Sequence, residues 1–69
     1  MVEKGEKYRH FKGKEYEVIG VGRHSETLED MVVYKALYAG GEIWIRPLSM
    51  WDDYVERDGV TYKRFTKII

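Results

Sequence analysis

The sequence predicts one small, mainly β domain, with a compact SH3-like barrel of about five strands as the expected architecture. Three observations support this. β-Branched and aromatic residues occur in short runs, glycines and an Asp-Gly pair separate the runs, and one segment alone has the character of a short helical turn. A chain of 69 residues is at the low end for independent folding, so residues 1–69 are expected to form a single domain.

The first strands are predicted from the runs around two glycines. Residues 16–21, YEVIGV, form a strand signal bounded by Gly13 and Gly22, and residues 8–11, YRHF, indicate a shorter strand before it. Residues 22–30 are polar and predict a loop of about nine residues between two strands. A loop of this length in so small a domain is a candidate functional element, because loops carry binding residues more often than strands do.

The longest strand signal, residues 31–38, is followed by Gly40 and Gly41 and then by the apolar run 43–47, which together predict a β-hairpin. With the two glycines as the turn, Tyr38 faces Ile43 and Lys35 faces Arg46. The expected core face then carries Val32, Tyr34, Ala36, Tyr38, Ile43 and Ile45. The opposite face carries Val33, Lys35, Leu37, Trp44 and Arg46, a mixture typical of a ligand-facing patch.

The segment after Pro47 predicts one or two helical turns. Ser49 is a suitable N-cap and acidic residues follow it, which favours a helix ending before Asp58. Asp58 and Gly59 predict a turn, and the alternating run VTYKRF at residues 60–65 predicts the closing strand.

Composition excludes several classes of protein. The chain has no cysteine and two histidines, so we expect neither a disulfide nor a structural metal site to stabilise it. Twelve basic residues balance twelve acidic ones, and no apolar run approaches the roughly 20 residues needed to cross a bilayer. The charged N-terminus lacks the apolar stretch of a signal peptide, so we expect a cytoplasmic protein without a membrane partner.

The loop run RHSET holds the residue types of a hydrolase triad within five positions. Proximity in sequence does not place a nucleophile within reach of an oriented base, and the chain has no GxSxG elbow. We therefore expect no enzyme, no metal site and no cofactor. Ser25, Glu26 and Thr27 are expected to bond to local backbone groups. Gly20 and Gly22 are interpreted as relieving crowding at a bend or bulge, because no dinucleotide-binding loop follows them.

Four blocks of sequence resemble a family of short bacterial proteins known only as a domain of unknown function. The blocks are YRHFKG at 8–13, YEVIGVGRHSET at 16–27, VVYKALY at 32–38 and WIRPLSMW at 44–51. The resemblance covers residues 8–66, with glycine at position 22 where the family is expected to have alanine. It implies a bacterial domain of about this length and supplies neither an activity nor catalytic residues.

Three hypotheses for function remain open. A non-enzymatic module that binds a protein or a small ligand is favoured, because aromatic side chains beside a charged loop suit an extended peptide or an anionic ligand. An RNA- or DNA-binding module is the first alternative, since basic residues interleave with aromatic ones. An enzyme centred on Arg23, His24 and Glu26 is the second. The candidate binding residues are Arg23, His24, Ser25, Glu26, Thr27, Lys35, Trp44 and Arg46.

Overall fold

A computed structural model describes residues 2–69 as seven strands and one 3-10 turn. The elements in order are β1 (Lys7–His10), β2 (Glu15–Arg23), β3 (Asp30–Ala36), β4 (Ile43–Pro47), the 3-10 turn (Leu48–Met50), β5 (Tyr54–Arg57), β6 (Val60–Lys63) and β7 (Phe65–Lys67). The mainly β class predicted from the sequence is confirmed.

The strands form an antiparallel five-stranded sheet in the order β4-β3-β2-β1-β7, together with a separate β5–β6 hairpin. Within residues 2–69 the sheet stays open, with β4 and β7 as its edges, so the barrel closure expected from the sequence is not observed. The strand count also exceeds the expected five. Open edges matter for function because their backbone groups have no partner on one side.

The core lies on one face of the sheet, which we call the inner face. Side chains of β3 alternate along the strand, so Val32, Tyr34 and Ala36 are buried while Lys35 is exposed. The remaining buried side chains are Val2, Tyr8, Val18, Trp51 and Phe65. Trp51 follows the 3-10 turn and is fully buried, with Tyr8 and Tyr34 packed edge-on against its ring. The segment after β4 thus covers the inner face.

The short helical turn is present, but it does not extend toward Asp58. Pro47 occupies the N-cap position, no side chain caps the turn, and residues 54–57 are the strand β5. Asp53, one of the acidic residues expected in a first helical turn, instead forms ion pairs with Arg46 and Arg64. The turn predicted at Asp58 and Gly59 is confirmed, with φ of 54° and 78° at the two residues.

The β3–β4 hairpin is confirmed, but its predicted register is wrong. Ile43 lies opposite Lys35 rather than Tyr38, a shift of three residues. The connection comprises residues 37–42, with Ala39 and Gly41 at φ of 47° and 70°, because the chain leaves the ladder after Ala36. A shift by an odd number exchanges the two faces of β4, so Trp44 and Arg46 share the inner face with Tyr34.

Candidate functional site

The face of the sheet opposite the core, the outer face, is apolar at one end. Cross-strand pairs share a face, so Gly20 lies beside Val33 and Ile45, and Gly22 lies beside Met31. A β-bulge between Val18 and Gly20 produces this placement. The bulge adds one residue to β2, which reverses its alternation and directs both glycine positions outward.

Gly20 and Gly22 leave the floor of this region open. Neither residue has a positive φ, and a Cβ built on either glycine would meet nothing within 4 Å. The expected bulge is confirmed, but the glycines relieve no crowding. Glycine inside a strand costs about 0.5–1 kcal/mol relative to alanine, so the fold itself gains nothing from them. A glycine that a fold does not require is typical of a place where another molecule approaches the backbone closely.

Gly22 lines a depression of about 220 Å³, which we call the outer trough, and Gly20 lies next to its Val33 wall on the same face. Met31 and Val33 are half-buried, and Ile45 is 64% exposed. The trough is lined by Gly22, Arg23, His24, Ser25, Met31, Val33 and Ile45. Three residues of the predicted loop site therefore meet an apolar surface that the sequence did not reveal, because the wrong register placed Ile45 in the core.

The loop between β2 and β3, residues 24–29, is shorter than expected and is organised around His24. Nδ1 of His24 accepts hydrogen bonds from the backbone N–H groups of Glu26 and Thr27, at 3.1 and 3.3 Å. The backbone of His24 bonds to Leu28 and Glu29 as well. Because Nδ1 is an acceptor, the neutral imidazole carries its proton on Nε2. The ring is thus held at the end of the trough as a hydrogen-bond donor.

Of the three residues expected to bond to local backbone groups, only Thr27 does so, because the side chains of Ser25 and Glu26 make no hydrogen bond within residues 2–69. Thr27 Oγ1 accepts the N–H of Glu29 at 3.2 Å, as expected for a turn-stabilising hydroxyl. Arg23 lies opposite Asp30 at the end of the β2–β3 ladder, and its Nε is 3.7 Å from Asp30 Oδ1. Both side chains are more than half exposed, so this ion pair contributes little to stability.

The predicted face that joins Lys35 to Trp44 and Arg46 does not exist. Lys35 lies on the outer face, whereas Trp44 and Arg46 lie on the inner face beside Tyr34 and Val32. The error follows from the three-residue shift in the hairpin register. These three residues therefore do not form one binding surface with each other.

Arg46 has a structural role. Its Nε donates to the Met50 carbonyl at 3.0 Å and its Nη2 lies 3.3 Å from Asp53 Oδ2, while Arg64 Nε lies 2.7 Å from Asp53 Oδ1. The hydrogen bond from Arg64, with the charge of Arg46, holds the pKa of Asp53 below its usual value. These contacts tie β4 and the start of β7 to the segment that covers the core.

Trp44 lines a second depression, of about 440 Å³, at the hairpin end of the inner face. Ala36, Tyr38 and Glu42 also line it, and Trp44 is 46% exposed. The Tyr38 hydroxyl lies 2.6 Å from that of Tyr16, and burial together with this contact raises the pKa of Tyr16. The sequence assigned Tyr38 to the core, so this depression was not predicted.

Residues 2–69 contain no cluster of three metal-ligating side chains. None of the helical segments in the same range is long and apolar enough to cross a membrane.

Taken together, the fold and the site define a small antiparallel β domain with an open sheet, a core rich in aromatic residues and an apolar trough on the outer face. The chain belongs to the family described as "Protein of unknown function (DUF1653)", whose family model matches residues 6–67. The match includes all seven strands in full, since β1 begins at Lys7 and β7 ends at Lys67.

A solved structure supports the same assignment. A crystal structure of a protein of the DUF1653 family from Bordetella bronchiseptica is 35% identical to this chain, with a TM-score of 0.82. The alignment covers 97% of this chain and 87% of that one. None of the curated proteins matches the chain. The family carries no assigned function, so the site must be interpreted from its own chemistry.

Proposed function

We propose that this protein is a non-enzymatic binding module and that its ligand lies in the outer trough. The observation that carries the proposal is glycine at positions 20 and 22, where neither φ nor crowding requires it, with Gly22 in the lining of the trough. Filling either position with a strand-forming side chain would stabilise the sheet, so their presence is explained by a ligand that contacts the backbone of β2.

The lining of the trough indicates the chemistry of the ligand. Met31, Val33 and Ile45 offer apolar contact, and the open space beside Gly22 is wide enough for a branched aliphatic group. At the loop end, Nε2 of His24 and Oγ of Ser25 make no hydrogen bond within residues 2–69. A ligand with an aliphatic body and a hydrogen-bond acceptor at one end, such as a carboxylate, therefore fits both parts of the trough.

The geometry of His24 supports a binding role over a catalytic one. A histidine that acts as a general base accepts a proton on one ring nitrogen while the other donates to an orienting group. Here Nδ1 already accepts two backbone N–H groups, so Nε2 carries the proton and has no lone pair to accept another. This arrangement favours recognition of an acceptor on the ligand.

Two features of the structure favour this proposal over nucleic-acid binding. Six of the twelve basic residues are in ion pairs within the chain, namely Arg9, Arg23, Arg46, Lys63, Arg64 and Lys67. Four of the ten aromatic residues, Tyr8, Tyr34, Trp51 and Phe65, are buried in the core and cannot stack on bases. Both features reduce the basic and aromatic surface that a single strand could contact.

We also place this module in the bacterial cytoplasm. The lack of cysteine is compatible with a reducing compartment, and the related crystal structure comes from a bacterium. Fractionation of cells that express a tagged chain would test this, and recovery in the periplasmic or membrane fraction would contradict it.

A two-dimensional amide NMR titration tests the proposed function. The probes are 4-methylpentanoate, 4-methylpentanamide and a short single-stranded RNA, each added to the labelled domain. We expect 4-methylpentanoate to shift the backbone amide signals of Gly20, Gly22, Val33 and His24. 4-Methylpentanamide should cause smaller shifts of the same signals, and the RNA should cause none.

The matched variants are Gly22→Val, which fills the trough, and Thr61→Val, which changes an exposed position of β6 away from it. Gly22→Val should keep a folded spectrum and abolish the shifts, whereas Thr61→Val should leave them intact. Shifts that persist in Gly22→Val, or that map to the RNA alone, would overturn the proposal.

A further inference from the structure

The edge strand β4 exposes unpaired backbone groups in a defined pattern. Ala36 N donates to Glu42 O, so residues 36 and 42 are a hydrogen-bonded pair of the antiparallel ladder. Such pairs alternate along the ladder, so Trp44 and Arg46 also direct their backbone groups toward β3. The N–H and C=O groups of Ile43 and Ile45 consequently point away from the sheet. Pro47, which has no N–H, ends the available edge.

The central part of this edge, residues 43–45, lacks the protection that edge strands usually have. Natural edge strands carry lysines, inward-pointing charges, bulges or prolines that prevent pairing with another strand. In β4 the central residues Ile43, Trp44 and Ile45 are apolar, and 52%, 46% and 64% exposed. Arg46, the charged residue of the strand, is held toward Met50 and Asp53. An apolar edge of this kind favours an added strand.

The sequence of the edge is complementary to itself. Residues 42–46 read Glu-Ile-Trp-Ile-Arg, with isoleucines placed symmetrically about Trp44 and opposite charges at the two ends. An antiparallel pairing of two copies about a two-fold axis at Trp44 places Ile43 of each copy opposite Ile45 of the other. The same axis places Glu42 of each copy opposite Arg46 of the other, and the two Trp44 side chains face each other.

The hydrogen-bond pattern fits this register. The outward groups of Ile43 and Ile45 meet their counterparts as hydrogen-bonded pairs, and Trp44 falls in the closer, non-hydrogen-bonded position where aromatic side chains contact each other. An axis at Ile45 would instead place Ile43 opposite Pro47, which has no N–H to donate. Glu42 is exposed and makes no ion pair within residues 2–69, so its carboxylate is available to Arg46 of a second copy, whose guanidinium also contacts Met50 and Asp53.

We propose that the protein forms a two-fold symmetric dimer in which β4 pairs with β4 of a second copy. The two five-stranded sheets then form one continuous sheet, and the exposed isoleucines of the two copies cover one another on the outer face. The proposal rests on the backbone pattern and the sequence of residues 42–46, and it shares the Ile45 side chain with the lining of the outer trough.

Sedimentation velocity between 1 µM and 1 mM protein tests the dimer. The wild-type mass should rise from 8.2 kDa toward twice that value as the concentration increases. Ile45→Pro removes an outward N–H without removing a hydrogen bond to β3, and should weaken association at least tenfold. Ile45→Thr keeps the N–H and the β-branch and is the matched control. Glu42→Arg should weaken association too, because it places like charges opposite each other.

Amide hydrogen exchange supplies a second measurement on the same samples. Protection of the Ile43 and Ile45 amides should rise with protein concentration, while protection of the Trp44 amide should stay constant because its N–H bonds to β3. A wild-type protein that stays monomeric at 1 mM, or a dimer that survives Ile45→Pro in a folded protein, would overturn the proposal. Gly22→Val should dimerise normally, so loss of ligand binding and loss of the dimer are separable.

Discussion

The ring of Trp51 lies flat against the ring of Phe65, with centroids 4.1 Å apart and an angle of 7° between the planes. Trp51 follows β4 at one edge of the sheet, while Phe65 begins β7 at the other edge. Both side chains are almost completely buried. This contact joins the two ends of the open sheet across its inner face, and it explains how a sheet that does not close still encloses a core.

Loss of the Trp51 ring should unfold the protein. Trp51→Ala removes the largest fully buried side chain, and aromatic-to-alanine changes in cores cost about 3–5 kcal/mol, which is comparable to the whole stability of a domain this small. Trp51→Phe should cost less, because it retains a ring and removes an indole N–H that has no partner within residues 2–69. Urea denaturation followed by circular dichroism measures both. Trp44→Phe is the control at a half-exposed site, and equal losses for Trp44→Phe and Trp51→Phe would contradict the packing argument.

Leu28 is a strained residue whose replacement should stabilise the protein. Its φ is 63°, a left-handed conformation that costs leucine about 1–2 kcal/mol, and its side chain is 64% exposed. Leu28→Asn should raise the free energy of unfolding by about 0.5–1 kcal/mol, because asparagine tolerates this conformation. Leu28→Ala is the control and should change little, since alanine retains the penalty. The unfolding midpoint in urea measures the difference, and a lower midpoint for Leu28→Asn would show that Leu28 makes a stabilising contact.

His24 should be replaceable by a residue that preserves its acceptor. His24→Ala leaves the backbone N–H groups of Glu26 and Thr27 without their partner and should cost about 0.5–1.5 kcal/mol. His24→Asn provides an amide oxygen in a similar place and should recover most of that loss. Thermal unfolding gives the stability of each variant, and the amide shifts of residues 24–29 report the loop. Equal losses in the two variants would show that the ring matters by packing rather than by accepting these bonds.

Glu6 should make the stability depend on pH in the acid range. Lys67 Nζ, the Glu3 N–H and the Tyr8 hydroxyl all contact its carboxylate, and they lower the pKa of Glu6 from 4.5 to about 2. The folded protein therefore keeps this carboxylate ionised to lower pH than the unfolded chain does. The resulting stabilisation is fully present above pH 4.5 and disappears as the pH falls toward 2.

Urea unfolding of the wild type and Glu6→Gln between pH 2 and 7 measures this contribution. The two free energies of unfolding should differ by a constant amount above pH 5 and converge near pH 2. Lys4→Gln, a change at an exposed residue outside the contact, should keep the wild-type profile. A Glu6→Gln difference that does not vary with pH would show that the interaction does not depend on the charge of Glu6.

The strands were predictable where the signal is local. The run at residues 16–21 and the Asp58-Gly59 turn are specified by β-branched side chains and by residues that accept a positive φ, and both occur as expected. The register of the β3–β4 hairpin was not predictable from its glycines. The chain leaves the β3–β4 ladder after Ala36, two residues before the end of the predicted strand, while Leu37 N continues the β2–β3 ladder by donating to Glu15 O. The sequence of the hairpin alone does not reveal how its strands pair with a third strand.

Some residues of the candidate site were likewise predictable from the sequence, and others were not. His24, Ser25 and Thr27 were identifiable because a polar run between two strands must form a loop, and such a run contains the side chains that bond to loop backbone. The partners of that loop were not identifiable, since Met31, Val33 and Ile45 join it only through the pairing of three strands and through the bulge in β2. Periodicity cannot anticipate a bulge, which reverses the alternation by one residue.

The sequence by itself determined that this protein is a small β domain, that a turn lies at Asp58 and Gly59 and which loop is polar, because those properties depend on neighbouring residues along the chain. Tertiary structure alone decided which side of β4 faces the core and that the glycines at 20 and 22 form an open floor. It also decided that Trp51 closes the inner face. The physical reason is that faces, edges and depressions are properties of strand pairing, and pairing is settled by contacts between residues far apart in the sequence.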